Sequence, residues 1–144
     1  MAQETERLLE HRDPVVALIG ALVIPGGGHL YIGQARKAFI LCIVINVTIL
    51  AGLWMGHGQD IIMQRVPWFI AEIGGGIVPL VAALRASRLG IVDAPAGQFI
   101  PLYDIGTVYC AVAGMLNMLA AINALAITVD TNAEIARRRR GGAT

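Results

Sequence analysis

Charge is scarce in this chain. Only 15% of its 144 residues are charged, against about a quarter in a soluble domain. Aromatic residues make up 6% and the formal net charge is +1, so total charge makes no case for a nucleic-acid partner. The two cysteines, Cys42 and Cys110, both fall inside apolar runs. They read as small buried residues, without the spacing of a disulfide framework or a zinc site. Ser87 and the threonines have no His/Asp arrangement that would make a nucleophile. No enzyme activity, cofactor or metal is therefore expected. A secretory signal is also missing: Glu4, Glu6 and Glu10 crowd the region where it needs positive charge, so the first apolar run is expected to stay in the mature protein.

What is present is apolar and comes in long runs. The chain is 56% hydrophobic with mean hydropathy +0.67, which is a membrane signature. It is organised around Pro25-Gly26-Gly27-Gly28-His29-Leu30-Tyr31-Ile32-Gly33-Gln34-Ala35-Arg36-Lys37, with an apolar run on either side. A proline and three glycines break any regular helix. At membrane depth such a break must be buried in protein or face a wet cavity, because lipid cannot satisfy the freed backbone groups.

Residues 5–12 can form a short polar helix, ended by Asp13-Pro14, which starts the next element. Residues 15–33 form a first broken segment. Its unbroken apolar part is about ten residues, too short for a core of ~30 Å, so it either crosses through the break or re-enters. Residues 38–55 are uncharged and end near Trp54, and read as the cleanest membrane helix. Residues 61–84 form a second broken segment, with Pro67, Gly74-Gly75-Gly76 and Pro79, and Glu72 just before the glycines. Residues 89–104 read as a loop, and residues 105–127 as the last membrane helix, followed by a polar tail with four consecutive arginines. The expected architecture is an all-α integral membrane protein with about four hydrophobic helical segments, two of them interrupted by Gly and Pro. A polar segment, 1–13, precedes the membrane domain, 14–128, and an Arg-rich tail, 129–144, follows it. Each half holds a Gly-triplet segment, an Arg-containing connection and an unbroken helix; paired broken segments of this kind point to a binding site in transporters, but the residues of the two halves barely match, and chance accounts for the regularity better.

Lys and Arg near helix ends set orientation. With four crossings, Arg7, Arg12, Arg65 and residues 137–140 share one side, and Arg36, Lys37, Arg85 and Arg88 the other. The first group is larger, so both termini are expected in the cytoplasm. A re-entrant 15–33 segment would bring the count close to balance.

The stretch Pro25-Gly26-Gly27-Gly28-His29-Leu30-Tyr31-Ile32-Gly33, followed by the long helix, resembles the motif of the two-transmembrane-helix domain family. The likeness covers residues 15 to about 56. It departs from that family's pattern at Leu30, where an Arg-Phe element is common. The second half, with Asp104-Ile105-Gly106-Thr107 and Gly114-Met115-Leu116-Asn117, looks like the rest of a small uncharacterised bacterial membrane family that shares the first motif. The resemblance implies a bacterial inner-membrane protein and carries no established reaction.

Candidate functional residues follow from the cost of polarity in lipid. An ionised Glu72 costs at least ~2.5 kcal/mol unless it is paired, hydrated or protonated. It marks a proton or cation pathway, or else pairs with Arg65. His29 and Tyr31, beside the amides of Gly26, Gly27 and Gly28, either bind an anion or headgroup or simply close the turn. Asn46, Asn117 and Asn123 are expected to join helices. Gly106, Cys110, Gly114 and Asn117, continued by Ala121 and Ala124, make a small-residue face on the last helix that packs against a helix of this chain or of a partner. The leading functional expectation is a structural or accessory subunit in a homo-oligomer or larger membrane complex within the lipid bilayer. The alternative is a small transporter or channel built on Glu72.

Overall fold

The computed structural model describes residues 12–57, 66–90 and 102–141. These form α1 (Pro14–Val23), α2 (Gly27–Tyr31), α3 (Ala35–Met55), α4 (Val66–Ile73), α5 (Ile77–Arg88) and α6 (Tyr103–Gly141), and no strand occurs among the described residues. Two helices, α3 and α6, are long and apolar enough to cross a membrane, with hydropathies of 2.4 and 1.9. The 21 residues of α3 rise about 31 Å at 1.5 Å each.

α1 starts as its sequence dictates. The Asp13 carboxylate accepts from the Val15 amide at 2.8 Å, and Pro14 occupies the first helical position, where its missing N–H costs nothing. The helix stops because Ile24, preceding Pro25, is driven to extended geometry (φ −125°, ψ 118°). Gly26 then turns the chain with φ +84°, a conformation open to glycine and strained for other residues.

The turn sends α2 back along α1. A Cβ on Gly28 would run into the Ala17 carbonyl oxygen, and Tyr31, at the end of α2, accepts through its hydroxyl from the Asp13 amide at 3.3 Å. The positive-charge count favours a crossing here; the structure instead makes residues 14–31 a helical hairpin whose two ends lie together. A chain that turns back on itself in this way has the shape that the re-entrant alternative calls for. Backbone at the break is covered by α1, α3 and α6.

The second broken segment does the same from the other end. α4 begins beside the start of α6, where Pro67 and Trp68 share a cleft with Asp104, Thr107 and Val108. It runs along α6 until Gly74 lies against Gly114 and Met118. Gly76 (φ +97°) turns the chain. α5 then returns, because Val78 packs on the Ile45–Ile49–Ala113 cluster and Ala83 on Cys110, with Phe69 of α4 and Leu53 of α3 against the same cluster. A helix continuing past Gly76 would carry Ala83 away from Cys110.

The chain thus repeats one unit, a helical hairpin followed by a long helix. α3 carries the chain from one end of the bundle to the other, so the second hairpin points opposite to the first. The two tips meet: a Cβ on Gly76 would lie 2.8 Å from the Val23 carbonyl oxygen and 3.3 Å from Pro25 Cδ.

α6 is the element on which the rest is assembled. Its buried stripe includes Gly106, Cys110, Gly114, Asn117, Ala121 and Ala124. Val108, Val112, Met115, Leu119 and Ile122 on the opposite side are exposed. The helix also runs on beyond residue 127, through the arginines to Gly141. Ala, Glu and Arg are good helix formers, and Glu134 pairs with Arg138 one turn on. The expected helix over residues 5–12, Arg65 beside Glu72, and most of the 89–104 loop lie outside the described residues.

Candidate functional site

The last turn of any helix leaves carbonyls without N–H partners. Two such turns end inside this bundle. The Ala21 carbonyl, in the last turn of α1, accepts from Asn117 Nδ2 at 3.0 Å, and the Gly74 carbonyl, just past α4, accepts from the same Nδ2 at 2.8 Å. Asn117 is fully buried. Its two amide hydrogens therefore tie together the tips of the two opposed hairpins, in a buried setting where an unpaired carbonyl is costly. Its own Oδ1 is enclosed with no hydrogen-bond partner.

Glu72 stands in the last turn of α4 and is 1% exposed. Its backbone carbonyl accepts from the Gly75 amide at 2.9 Å and faces Gly114 of α6. The acid is thus placed within two residues of the carbonyl that Asn117 holds.

His29 is buried on α2 and pairs across to α6, with Nε2 3.2 Å from Asn123 Oδ1. An amide oxygen only accepts, so in this orientation Nε2 carries the proton and Nδ1 is left as an enclosed acceptor without a partner. His29 joins α2 to α6 through a side chain, while its carbonyl takes the Gln34 amide at 2.8 Å. Tyr31 fastens the hairpin ends: besides its bond to Asp13, its ring lies 5.6 Å under the Arg12 guanidinium.

The three glycines are occupied by packing. Gly26 is pressed on Ala38, Gly27 on Gly20, and Gly28 on Ala17, Ala21 and Ala124, and the Gly27 amide already bonds the Ile24 carbonyl at 2.8 Å. The small face of α6 is likewise used within the chain. Gly106 and Cys110 meet Gly52 of α3, the Cys110 thiol reaches the Ile49 carbonyl at 3.7 Å, and Gly114 abuts the Ala71 carbonyl.

Of the three asparagines expected to join helices, Asn117 and Asn123 do join elements, whereas Asn46 bonds the Cys42 carbonyl of its own helix at 2.8 Å. Sequence reasoning did not single out Arg12 and Asn132. Asn132 Nδ2 donates to the Arg12 carbonyl at 2.7 Å and its Oδ1 accepts from the Arg12 amide at 3.2 Å. The signal available was weak, a polar residue just outside each of two apolar runs. Among the described residues, no three His, Cys, Asp or Glu side chains gather as metal ligands.

The chain belongs to a family of unknown function, DUF6677, which matches residues 15–138. The match begins in α1 and ends in the last turns of α6, so it takes in both hairpins and both long helices. No curated protein and no solved structure matches the chain.

Proposed function

We propose that this DUF6677 member is an integral membrane protein that moves a proton or small cation at the meeting point of its two hairpins. In this reading α3 and α6 cross the bilayer, and the four hydrophobic segments comprise these two crossings and two re-entrant hairpins entering from opposite faces. The observation that carries it is Asn117 bonding both tips at once. Opposed broken helices meeting within a bundle are how inverted-repeat transporters build their midplane sites. Helix ends of both signs gather there, since α2 and α5 start where α1 and α4 stop; the Glu72 side chain tips the balance toward a positive ligand.

The hairpin geometry also sharpens the orientation. Arg12, Arg36, Lys37 and residues 137–140 fall at one end, and Arg85 and Arg88 at the other, seven basic residues against two among those described. Such an excess is what the cytoplasmic face carries, and it supports a reading with both chain ends in the cytoplasm; the bacterial inner membrane comes from the family resemblance. The glycine motif's likeness to the two-transmembrane-helix domain family belongs to the same reading, as the tip and return arm of a re-entrant module.

A second reading, an accessory subunit of a larger membrane assembly or a homo-oligomer, is favoured by the outer face of α3. Phe39, Ile43, Val47, Leu50 and Trp54 line it at spacings of three and four and are 47–78% exposed, a surface for lipid or for a partner helix. Reconstitution into vesicles loaded with a pH-sensitive dye or, in parallel, a sodium-sensitive dye separates the two. Transport predicts proton or sodium flux under an imposed potential, lost in Glu72→Gln. Vesicles that stay tight, together with co-migration of the extracted protein in a larger complex, would overturn transport in favour of the accessory role.

A further inference from the structure

The mouth of the first hairpin holds a second polar feature, independent of the tips. A cavity of about 110 Å³ lies there between the hairpin and α6, where Arg12, Gln34, Thr128, Thr131 and Asn132 line it beside the apolar Ile32 and Ile127. A single water needs only about 10–15 Å³ of such space, so there is room for a phosphate group and accompanying waters. It sits where α3 begins and where α6 turns from apolar to polar, at headgroup level if α3 and α6 cross the bilayer.

The lining is built and its donors are committed in one direction. Asn132 fixes the Arg12 backbone through both amide bonds, and the Tyr31 ring supports the guanidinium from one side. The guanidinium has no carboxylate partner among the described residues; the neighbouring Asp13 caps α1, and the ion pair seen is Glu134 with Arg138. Gln34 Oε1 is buried without a partner. The Thr128 and Thr131 hydroxyl hydrogens go to the Ala124 and Ile127 carbonyls, each at 2.8 Å, which leaves their oxygens as acceptors. α3 also begins here with no side-chain cap and no acidic residue in its first turn, but with Arg36 and Lys37. Gln34, the residue that precedes α3, lines the cavity, and the first amides of a helix beside two cations favour an anion near that end.

We infer that this cavity binds the phosphodiester of a phospholipid headgroup. Arg12 and the start of α3 take the phosphate oxygens, and Gln34 Oε1 with the threonine oxygens takes a hydroxyl or ammonium hydrogen of the headgroup. A guanidinium fork suits the phosphate geometry better than an ammonium does. The inference rests on the membrane placement proposed above and not on transport. That placement is checked separately, by whether detergent is needed to release the protein from the membrane fraction.

The test uses the full chain, delipidated in neutral detergent. Native mass spectrometry counts bound lipid, and thermal unfolding is followed with added short-chain phosphatidylglycerol, phosphatidylethanolamine or inorganic phosphate. The expected result is one retained phospholipid and a raised unfolding temperature, with affinity about tenfold weaker in Arg12→Gln and intermediate in Arg12→Lys. Arg139→Gln, in the exposed tail, should bind as the parent does. Arg12→Gln should fold, because the Arg12 backbone, not its side chain, holds Asn132. Stabilisation by inorganic phosphate equal to that by lipid would overturn the lipid as source while retaining a phosphate site. Equal lipid binding by the parent, Arg12→Gln and Gln34→Leu would overturn the site itself.

Discussion

The side chain of Asn117 holds the backbone of Gly74: Nδ2 lies 2.8 Å from the Gly74 carbonyl oxygen, 43 residues away in sequence, while also donating to Ala21. One amide group thereby satisfies carbonyls left over by two helices that stop inside the bundle. Asn117→Leu keeps the bulk and removes both bonds. At roughly 0.6–1.7 kcal/mol per bond in a membrane bundle, it should lower resistance to unfolding in mixed micelles by about 1–3 kcal/mol. Asn46→Leu should be nearly neutral in the same assay, because that side chain only bonds back to its own helix.

At Gly114, α6 comes into close backbone contact with α4. A Cβ there would collide with the Ala71 carbonyl and lie 3.0 Å from the Glu72 carbonyl. Gly114→Leu is expected to abolish the monodisperse folded fraction in detergent, since the backbone of α4 would have to move, at a cost well beyond the ~1–3 kcal/mol of ordinary overpacking. Val112→Leu, on the exposed side, should give parental yield. Size-exclusion profiles of the two variants check this.

Asp13 caps α1 and Tyr31 ties it to the end of α2. Asp13→Ala should cost about 1 kcal/mol, and Asp13→Ser should restore most of it. Thermal unfolding of the three proteins side by side tests the cap. The loss should be confined to the first hairpin, so hydrogen exchange at the α1 amides should rise while that of the α6 amides near Cys110 stays at the parental level.

Part of this architecture is legible in the residues. Asp13-Pro14 announces a helix start, Pro25-Gly26 and Gly74-Gly75-Gly76 announce breaks, and an uncharged run announces α3. The spacing of Gly106, Cys110, Gly114, Asn117, Ala121 and Ala124 announces a packing face, and the structure buries all six. The direction taken after each break is not legible, because a broken helix that crosses and one that returns use the same residues. What decides it is contact at long range, such as Arg12 with Asn132 across 120 positions or Ala83 with Cys110. For the same reason the spacing alone does not say whether the small face packs on a partner or on the chain itself; α1, α3 and α4 occupy it. The helical extension to Gly141 was hidden by polarity: its residues read as a tail, yet their helix propensity and the Glu134–Arg138 pair support another three turns or more.

The most direct test of opposed re-entrant hairpins is labelling by an impermeant thiol reagent at two positions, Lys37→Cys and His57→Cys, in a C42A/C110S background. Both parent residues are exposed, near opposite ends of α3. With residues 14–31 re-entrant and the Arg-rich end cytoplasmic, His57→Cys should label in intact cells and Lys37→Cys only after permeabilisation. A chain that crossed four times with both termini inside would show the reverse, and that pattern, with Lys37→Cys labelled from outside and His57→Cys protected, would contradict the account.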